Sequence, residues 1–162
     1  MRKVTQDEIA THIKVNEKKI YRLIFSYTKN DADTKDIFQD AIIKALKHPP
    51  LLYSSNYVST WFYRVVVNTC LDHLRKKKYN VDVDAILMED HHHHDQAYLL
   101  QEQLQHMMEQ LPIDIKTVII LRFFEDLKLE EISYITKTPL STVKSRLYKG
   151  LQLLKVKMEE ET

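Results

Sequence analysis

The residues with the clearest chemical potential lie near the C-terminus. In Leu140-Ser141-Thr142-Val143-Lys144-Ser145-Arg146-Leu147-Tyr148-Lys149-Gly150-Leu151-Gln152-Leu153-Leu154, apolar side chains recur at three- and four-residue steps. Leu140, Val143, Leu147, Leu151 and Leu154 therefore share one helix face. Ser141, Ser145, Tyr148, Lys149 and Gln152 occupy the opposite face, flanked by Lys144 and Arg146. Docking on a core needs only the apolar stripe. Hydroxyls and long cations gathered at the N-terminal half of a helix are suited to a DNA major groove, where they touch phosphates and base edges.

A second group lies at the same helical spacing between residues 61 and 75. Trp61, Arg64, Asn68, Asp72 and Arg75 form a stripe of one aromatic, cations and amides, suited to single-stranded nucleic acid. The same spacing also serves an internal network of Arg64–Asn68 and Asp72–Arg75 contacts. Arg75-Lys76-Lys77-Lys78 complements the negative end of a helix and also makes a phosphate-binding run. Upstream, the uncharged loop Leu51-Leu52-Tyr53-Ser54-Ser55-Asn56-Tyr57 can stack bases on its tyrosines and bond their edges. Taken alone, the loop reads more plainly as a connection whose tyrosines pack underneath. Asp36, Gln39 and Asp40 lie away from the centre of an apolar stripe, as a solvated helix face does. The run His91-His92-His93-His94 has no Cys or further His nearby at ligand spacing, so no closed metal site and no cofactor are expected. Cys70 reads as a small buried hydrophobe.

Helices must position these groups. Thr5-Gln6-Asp7-Glu8 is a capping box that opens a helix near residue 6, carrying Ile9, Ile13, Ile20, Leu23, Ile24 and Tyr27 inward as far as about Thr28. Asn30-Asp31-Ala32-Asp33 supplies turn and cap chemistry for a second helix over residues 34–47, with Ile37, Phe38, Ala41, Ile42, Ala45 and Leu46 as its apolar residues. His48-Pro49-Pro50 stops it. A third helix starts at Ser59 or Thr60 and runs to about Lys78, with Phe62, Val66, Cys70 and Leu74 inward. Residues 80 to about 96 are acidic and poor in large apolar side chains, the composition of a linker. Further helices are expected over residues 98–110 and 112–124, the second carrying Ile115, Val118, Ile119, Leu121 and Phe124. The pair Leu129–Ile135 and Pro139 onward is then a helix-turn-helix. Thr138 is placed to cap the second helix and Pro139 to open it. Its turn needs a residue with positive φ, and Lys137 stands there at a cost of about 1 kcal/mol.

Composition sets the outer bounds. The chain of 162 residues is long enough for one domain or two small ones, and 44% hydrophobic with 29% charged residues is ordinary for a soluble globular protein. One Gly and four Pro leave little room for long loops, and strand-like alternation is weak. A single Cys excludes an internal disulfide framework and fits a reducing compartment. No apolar run reaches the length of a membrane span and no signal-peptide pattern opens the chain, so a cytoplasmic protein without membrane insertion is expected. The net charge of +1 conceals an asymmetry: residues 1–79 carry 15 Lys and Arg against 8 Asp and Glu, whereas residues 80–110 carry none against 7. A basic front and an acidic middle suggest two modules joined by a linker, with a polyanionic partner.

Three segments together resemble the RNA polymerase sigma factors of the extracytoplasmic-function group within the sigma-70 family. Asp36-Ile37-Phe38-Gln39-Asp40-Ala41 resembles region 2.2. Ser59 to Lys76, containing Trp61-Phe62-Tyr63-Arg64 and Asn68-Thr69-Cys70-Leu71-Asp72, resembles regions 2.3 to 2.4. Leu111-Pro112, Leu121-Arg122-Phe123, Leu127, Glu131-Ile132 and Thr142-Val143-Lys144-Ser145-Arg146-Leu147 resemble region 4. The resemblance implies an all-α chain: a three-helix region 2 over residues 1–79, an acidic flexible linker over 80–97, and a four-helix region 4 with its helix-turn-helix over 98–162. It implies a non-enzymatic alternative sigma factor that binds core polymerase and directs promoter-specific initiation. Asp36, Gln39 and Asp40 would meet the β′ coiled coil, and region 4 the β flap. Tyr53, Ser54, Ser55, Asn56 and Tyr57 would hold an extruded base of the melted −10 strand, supported by Trp61, Arg64 and Asn68, with Arg75, Lys76, Lys77 and Lys78 on phosphates. Extrusion costs a few kcal/mol of unstacking, which a shaped pocket must offset. Ser141, Thr142, Lys144, Ser145, Arg146, Tyr148 and Lys149 would read the duplex −35 element. A membrane-bound anti-sigma factor is a further implied partner. The chain departs from the group's usual pattern at Lys137, Pro139 and Ser141, where Gly, Ser and Gly are frequent. The acidic linker could mimic nucleic acid, thread the polymerase RNA-exit path or repel DNA.

Two other classes compete. A stand-alone helix-turn-helix regulator would bind duplex without polymerase and usually dimerise, but the chain has no coiled-coil seam. A metal-dependent enzyme built on His91 to His94 would need a second shell or acid–base pair that the sequence does not offer.

Overall fold

The computed structural model describes residues 1–79 and 96–160, with side chains described for 1–77 and 103–160. The acidic segment expected as a linker, its His91–His94 run included, falls almost wholly outside the described residues. The chain divides into two compact units, Met1–Asp84 and Ala85–Thr162. Both are helical.

The first unit contains α1 (Gln6–Val15), α2 (Glu17–Thr28), α3 (Asp31–Lys47) and α4 (Val58–Tyr79). The capping box at Thr5 forms as the sequence dictates: the Thr5 hydroxyl accepts from the Glu8 N–H at 3.2 Å, and the Glu8 carboxylate accepts from the Thr5 N–H at 2.8 Å. The single helix expected over residues 6–28 is instead two helices. Asn16 breaks it at φ −107° and ψ 14°, and its amide donates to the His12 carbonyl at 2.9 Å. An Asn amide competing for a helical carbonyl is a known way to end a turn, and the break lets α1 pack on α3 while α2 follows its own line. Asn30 caps α3 by accepting from the Asp33 N–H at 2.8 Å. The core is Ile9, Ile20, Leu23, Ile24, Ile37, Ala41, Ala45, Phe62, Val66, Val67 and Cys70, with α3 packed between α2 and α4. Burial pushes the Cys70 thiol up to about 12, which keeps it protonated and unreactive. One feature was not expected from the weak strand signal: β1 (Arg2–Lys3) pairs antiparallel with β2 (Leu51–Leu52).

The second unit contains α5 (Gln96–Glu109), α6 (Ile113–Ile119), α7 (Leu129–Thr136) and α8 (Leu140–Glu160). A π-helical turn, Ile120–Phe124, continues α6. It closes with the Glu125 N–H on the Ile120 carbonyl at 3.2 Å, a five-residue step. The extra residue changes the direction in which the side chains at the end of the helix point. Phe124, expected inward, is 59% exposed, and Phe123 is 55% exposed. The core is Met107, Met108, Leu111, Ile115, Val118, Ile119, Leu121, Ile132, Ile135, Val143 and Leu147.

Candidate nucleic-acid and polymerase interfaces

The helix-turn-helix is built by backbone bonds that a lysine closes. Lys137 adopts φ 54° and ψ 40°, the left-handed position that the sequence assigns to it. Its N–H donates to the Ser133 and Tyr134 carbonyls, and the Thr138 N–H reaches back to the Ser133 carbonyl at 3.2 Å. This is a Schellman closure made without glycine. Side chains reinforce it: the Ser133 hydroxyl donates to the Thr138 carbonyl at 2.6 Å, and the Thr136 and Thr138 hydroxyls pair at 2.8 Å. The Thr138 hydroxyl is thus engaged in the turn. Helix α8 begins one residue later than expected, with the Pro139 carbonyl accepting from the Val143 N–H at 3.1 Å.

On α8, Val143, Leu147 and Gly150 are buried, and Leu140 and Leu154 half-buried. Leu151, expected inward, is 40% exposed, because Gly150 takes the position against α6. A Cβ at Gly150 would stand 2.8 Å from Ile115 Cγ2 and 2.9 Å from Ile119 Cδ1. At the lone glycine, α8 therefore lies close against α6. The sequence carried a signal for this: a single Gly inside a helix is a cost that demands a packing reason. Ser141, Lys144, Ser145, Tyr148 and Lys149 are exposed together on the outer face, with Thr142 half-buried beside them. Arg146 differs. Its side chain is 26% exposed and lies 3.7 Å from the Asp114 carboxylate of α6, so it ties α8 to α6.

In the first unit, the loop before α4 is not a packed connection. Tyr53 and Tyr57 are 79% and 55% exposed. Ser54 shapes the loop by accepting from the Asn56 N–H at 3.1 Å, which starts a 3-10 turn over Ser55–Tyr57 that runs directly into α4. Ser55 and Asn56 are exposed and Ser54 half-buried. Trp61, Arg64 and Asn68 are half-buried on α4 beside the buried stripe of Phe62, Val66 and Cys70, so the two stripes that the spacing describes both exist. The Asp72–Arg75 pair of the internal-network reading forms at 3.4 Å between exposed side chains.

The basic run is partly engaged by acids of its own unit. Lys77 Nζ donates to Asp33 Oδ2 at 2.9 Å, and His73 Nε2 lies 3.8 Å from Asp33 Oδ1. The hydrogen bond from Asn30 and then that from Lys77 hold the Asp33 carboxyl below its usual range. Arg75 and Lys76 are exposed; the side chain of Lys78 lies outside those described. On α3, Asp36, Gln39 and Asp40 are all exposed, forming one polar surface on the side away from Ile37 and Ala41. Among the described residues, no helix is long and apolar enough to cross a membrane.

Comparison with known proteins agrees with this division. Residues 12–79 match the Sigma-70 region 2 family and residues 101–154 match the Sigma-70, region 4 family. The chain is 38% identical over 160 residues to the RNA polymerase sigma factor SigV of Bacillus subtilis, covering 99% of this chain and 96% of that protein. It is 29% identical to the ECF RNA polymerase sigma factor SigW of the same organism, covering 99% of this chain and 94% of that one. Among solved structures, the sigma factor RpoE of Bartonella quintana, crystallised with the anti-sigma factor NepR, shares the fold at a TM-score of 0.71 and 15% identity, over 93% of this chain and 96% of that one. CnrH, solved with the cytosolic domain of CnrY, shares it at a TM-score of 0.67 and 14% identity, over 95% and 89%. With both regions in order and a relative aligned from end to end, the chain belongs to the extracytoplasmic-function group of the sigma-70 family, the alternative sigma factors of RNA polymerase.

Proposed function

We propose that this sigma factor contacts its promoter through two separate surfaces while Asp36, Gln39 and Asp40 hold the β′ coiled coil of core polymerase. Ser141, Thr142, Lys144, Ser145, Tyr148 and Lys149 read the duplex −35 element, with Arg146 reaching the same groove from its anchor on Asp114. A bidentate cation contact to guanine contributes about 1–3 kcal/mol of discrimination. Tyr53 to Tyr57 receive an unpaired base of the −10 strand, Trp61, Arg64 and Asn68 support it, and Arg75 to Lys78 neutralise phosphates. RNA synthesis remains the polymerase's chemistry; the chain supplies recognition. The domains fall at 1–79 and 98–162 with the acidic stretch between them, the region 4 unit meets the β flap, and the protein works in the cytoplasm. An anti-sigma factor, anchored in the membrane, sequesters it, as the anti-sigma factor NepR accompanies the sigma factor it was solved with.

The observation that carries this reading is the outward display of Tyr53 and Tyr57 at the start of α4. Two large aromatics left in water suit unpaired bases better than they suit a plain connection. Run-off transcription with sigma-free core polymerase on pooled promoters tests it. Discrete transcripts that disappear with Trp61→Ala and with Lys144→Ala are the expected result. Duplex binding by the chain alone, without transcripts, would refute it and favour a stand-alone regulator.

A further inference from the structure

The loop from Pro50 to Tyr57 has little regular structure of its own, yet it is held at two points by the first residues of the chain. At its entry, Arg2 and Lys3 pair with Leu52 and Leu51, and the Val4 N–H donates to the Pro50 carbonyl at 3.0 Å. Val4 itself is buried. At the loop's centre, Arg2 Nη2 donates to Ser55 Oγ at 3.2 Å. Ser55 stands between the two exposed tyrosines. The guanidinium is also held by Glu8, with Nη1 to Oε2 at 2.9 Å and Nη2, the nitrogen that reaches Ser55, to Oε1 at 2.6 Å. Glu8 is in turn fixed by the Thr5 N–H at 2.8 Å. A relay thus runs from the cap of α1, through Glu8 and Arg2, to the middle of the loop.

All these side chains are accessible to solvent, and exposed ion pairs contribute little to stability. What the relay does is restrict the loop. A binding loop ordered before it meets its ligand loses less conformational freedom on binding. Arg suits the task because its planar fork serves a carboxylate and a hydroxyl together, a geometry that the single ammonium of Lys does not reproduce. Hydrogen bonds from Arg2 and the Thr5 N–H lower the Glu8 carboxyl to about 2, so the relay stays charged across the working pH range.

We propose that Arg2 is a positioning residue for promoter melting, holding Ser55 so that Tyr53 to Tyr57 are preformed for the extruded base. The inference rests on the reading that this loop takes an unpaired promoter base. The test uses holoenzyme assembled from the full chain and core polymerase, and a fluorescent −10 non-template strand, either intact or with an abasic residue placed at each position in turn. Arg2→Ala is expected to weaken binding of the intact strand about fivefold, as loss of a partly exposed charged hydrogen bond does. Binding of the strand that lacks the extruded base stays unchanged, because nothing then enters the preformed loop. Ser55→Ala reproduces the loss. Glu8→Gln, which keeps the capping side chain, gives a smaller loss in the same pattern, and Arg2→Lys does not rescue. An equal loss on both strands means that Arg2 merely stabilises the unit and overturns the proposal, as does no loss on either. A wild-type holoenzyme indifferent to abasic residues at every −10 position would overturn the loop reading itself, and the inference with it.

Discussion

At Gly150 a single added methyl would meet two buried isoleucines at close range. In an ordinary helix interior, Gly→Ala is stabilising by roughly 0.5–1 kcal/mol, since Ala loses less backbone entropy on folding. Here the new Cβ would approach Ile115 Cγ2 at 2.8 Å and Ile119 Cγ1 and Cδ1 at 2.9 Å, well inside the ~3.5–4.0 Å of a favourable carbon contact. Both isoleucines are buried, and β-branching leaves each few rotamers to retreat into. Overpacking of this kind costs about 1–3 kcal/mol. The clash exceeds the propensity gain, so Gly150→Ala is expected to destabilise the second unit by about 1 kcal/mol. In a domain of this size that lowers its melting temperature by roughly 4–8 °C. Gly150→Leu, which must push α8 off α6, is expected to lose −35 duplex binding while leaving −10 strand binding intact. Thermal unfolding of the full chain followed by circular dichroism, with anisotropy on each DNA, reads both effects. A Gly150→Ala protein more stable than wild type would show that Ile115 and Ile119 yield freely, and would refute the claim that this close approach sets the position of α8.

Lys137→Gly relieves the left-handed backbone at φ 54° and should raise the stability of the same unit by up to about 1 kcal/mol, read as a higher melting temperature with unchanged −35 affinity. His12 is held below its ordinary value by burial and then by Lys19, so the unfolded chain takes up the proton first. Its contribution is present above pH about 6.5 and is lost as pH falls through its depressed folded value; His12→Gln should flatten that part of the stability profile in pH-dependent urea melts. Asp33→Asn frees Lys77 from its 2.9 Å partner, and the salt dependence of −10 strand binding should steepen by about 0.7 in log–log slope, with an unchanged slope counting against a phosphate role for Lys77.

Much of the fold is written locally in this sequence. The capping box at Thr5, the Asn30 cap, the Pro49-Pro50 stop and the left-handed Lys137 each arise from residues within a few positions of one another. Such features depend on short-range hydrogen bonds and backbone sterics, which spacing alone discloses. The same holds for the buried stripes of α4 and α7, where helical period and burial coincide.

Other properties depend on which surfaces meet, and periodicity is silent about that. Asn16 ends α1 with a local bond to the His12 carbonyl, yet the apolar period from Ile9 to Tyr27 runs on through it, so periodicity does not disclose the break. The π turn at Ile120–Phe124 inserts one residue and turns two phenylalanines to water, which no 3.6-residue pattern anticipates. Leu151 satisfies the apolar spacing yet lies exposed, because the close approach of α6 selects Gly150 instead. The tyrosines of the loop before α4 could have packed underneath but are exposed, and the bond from Arg2 to Ser55 spans 53 residues, next to the pairing of β1 with β2. Sequence by itself determined the helices, their caps and the chemistry on their faces, because those are local and periodic. Tertiary structure alone decided which of two eligible residues turns inward and which distant side chains meet, because those outcomes depend on close packing between elements far apart in the chain.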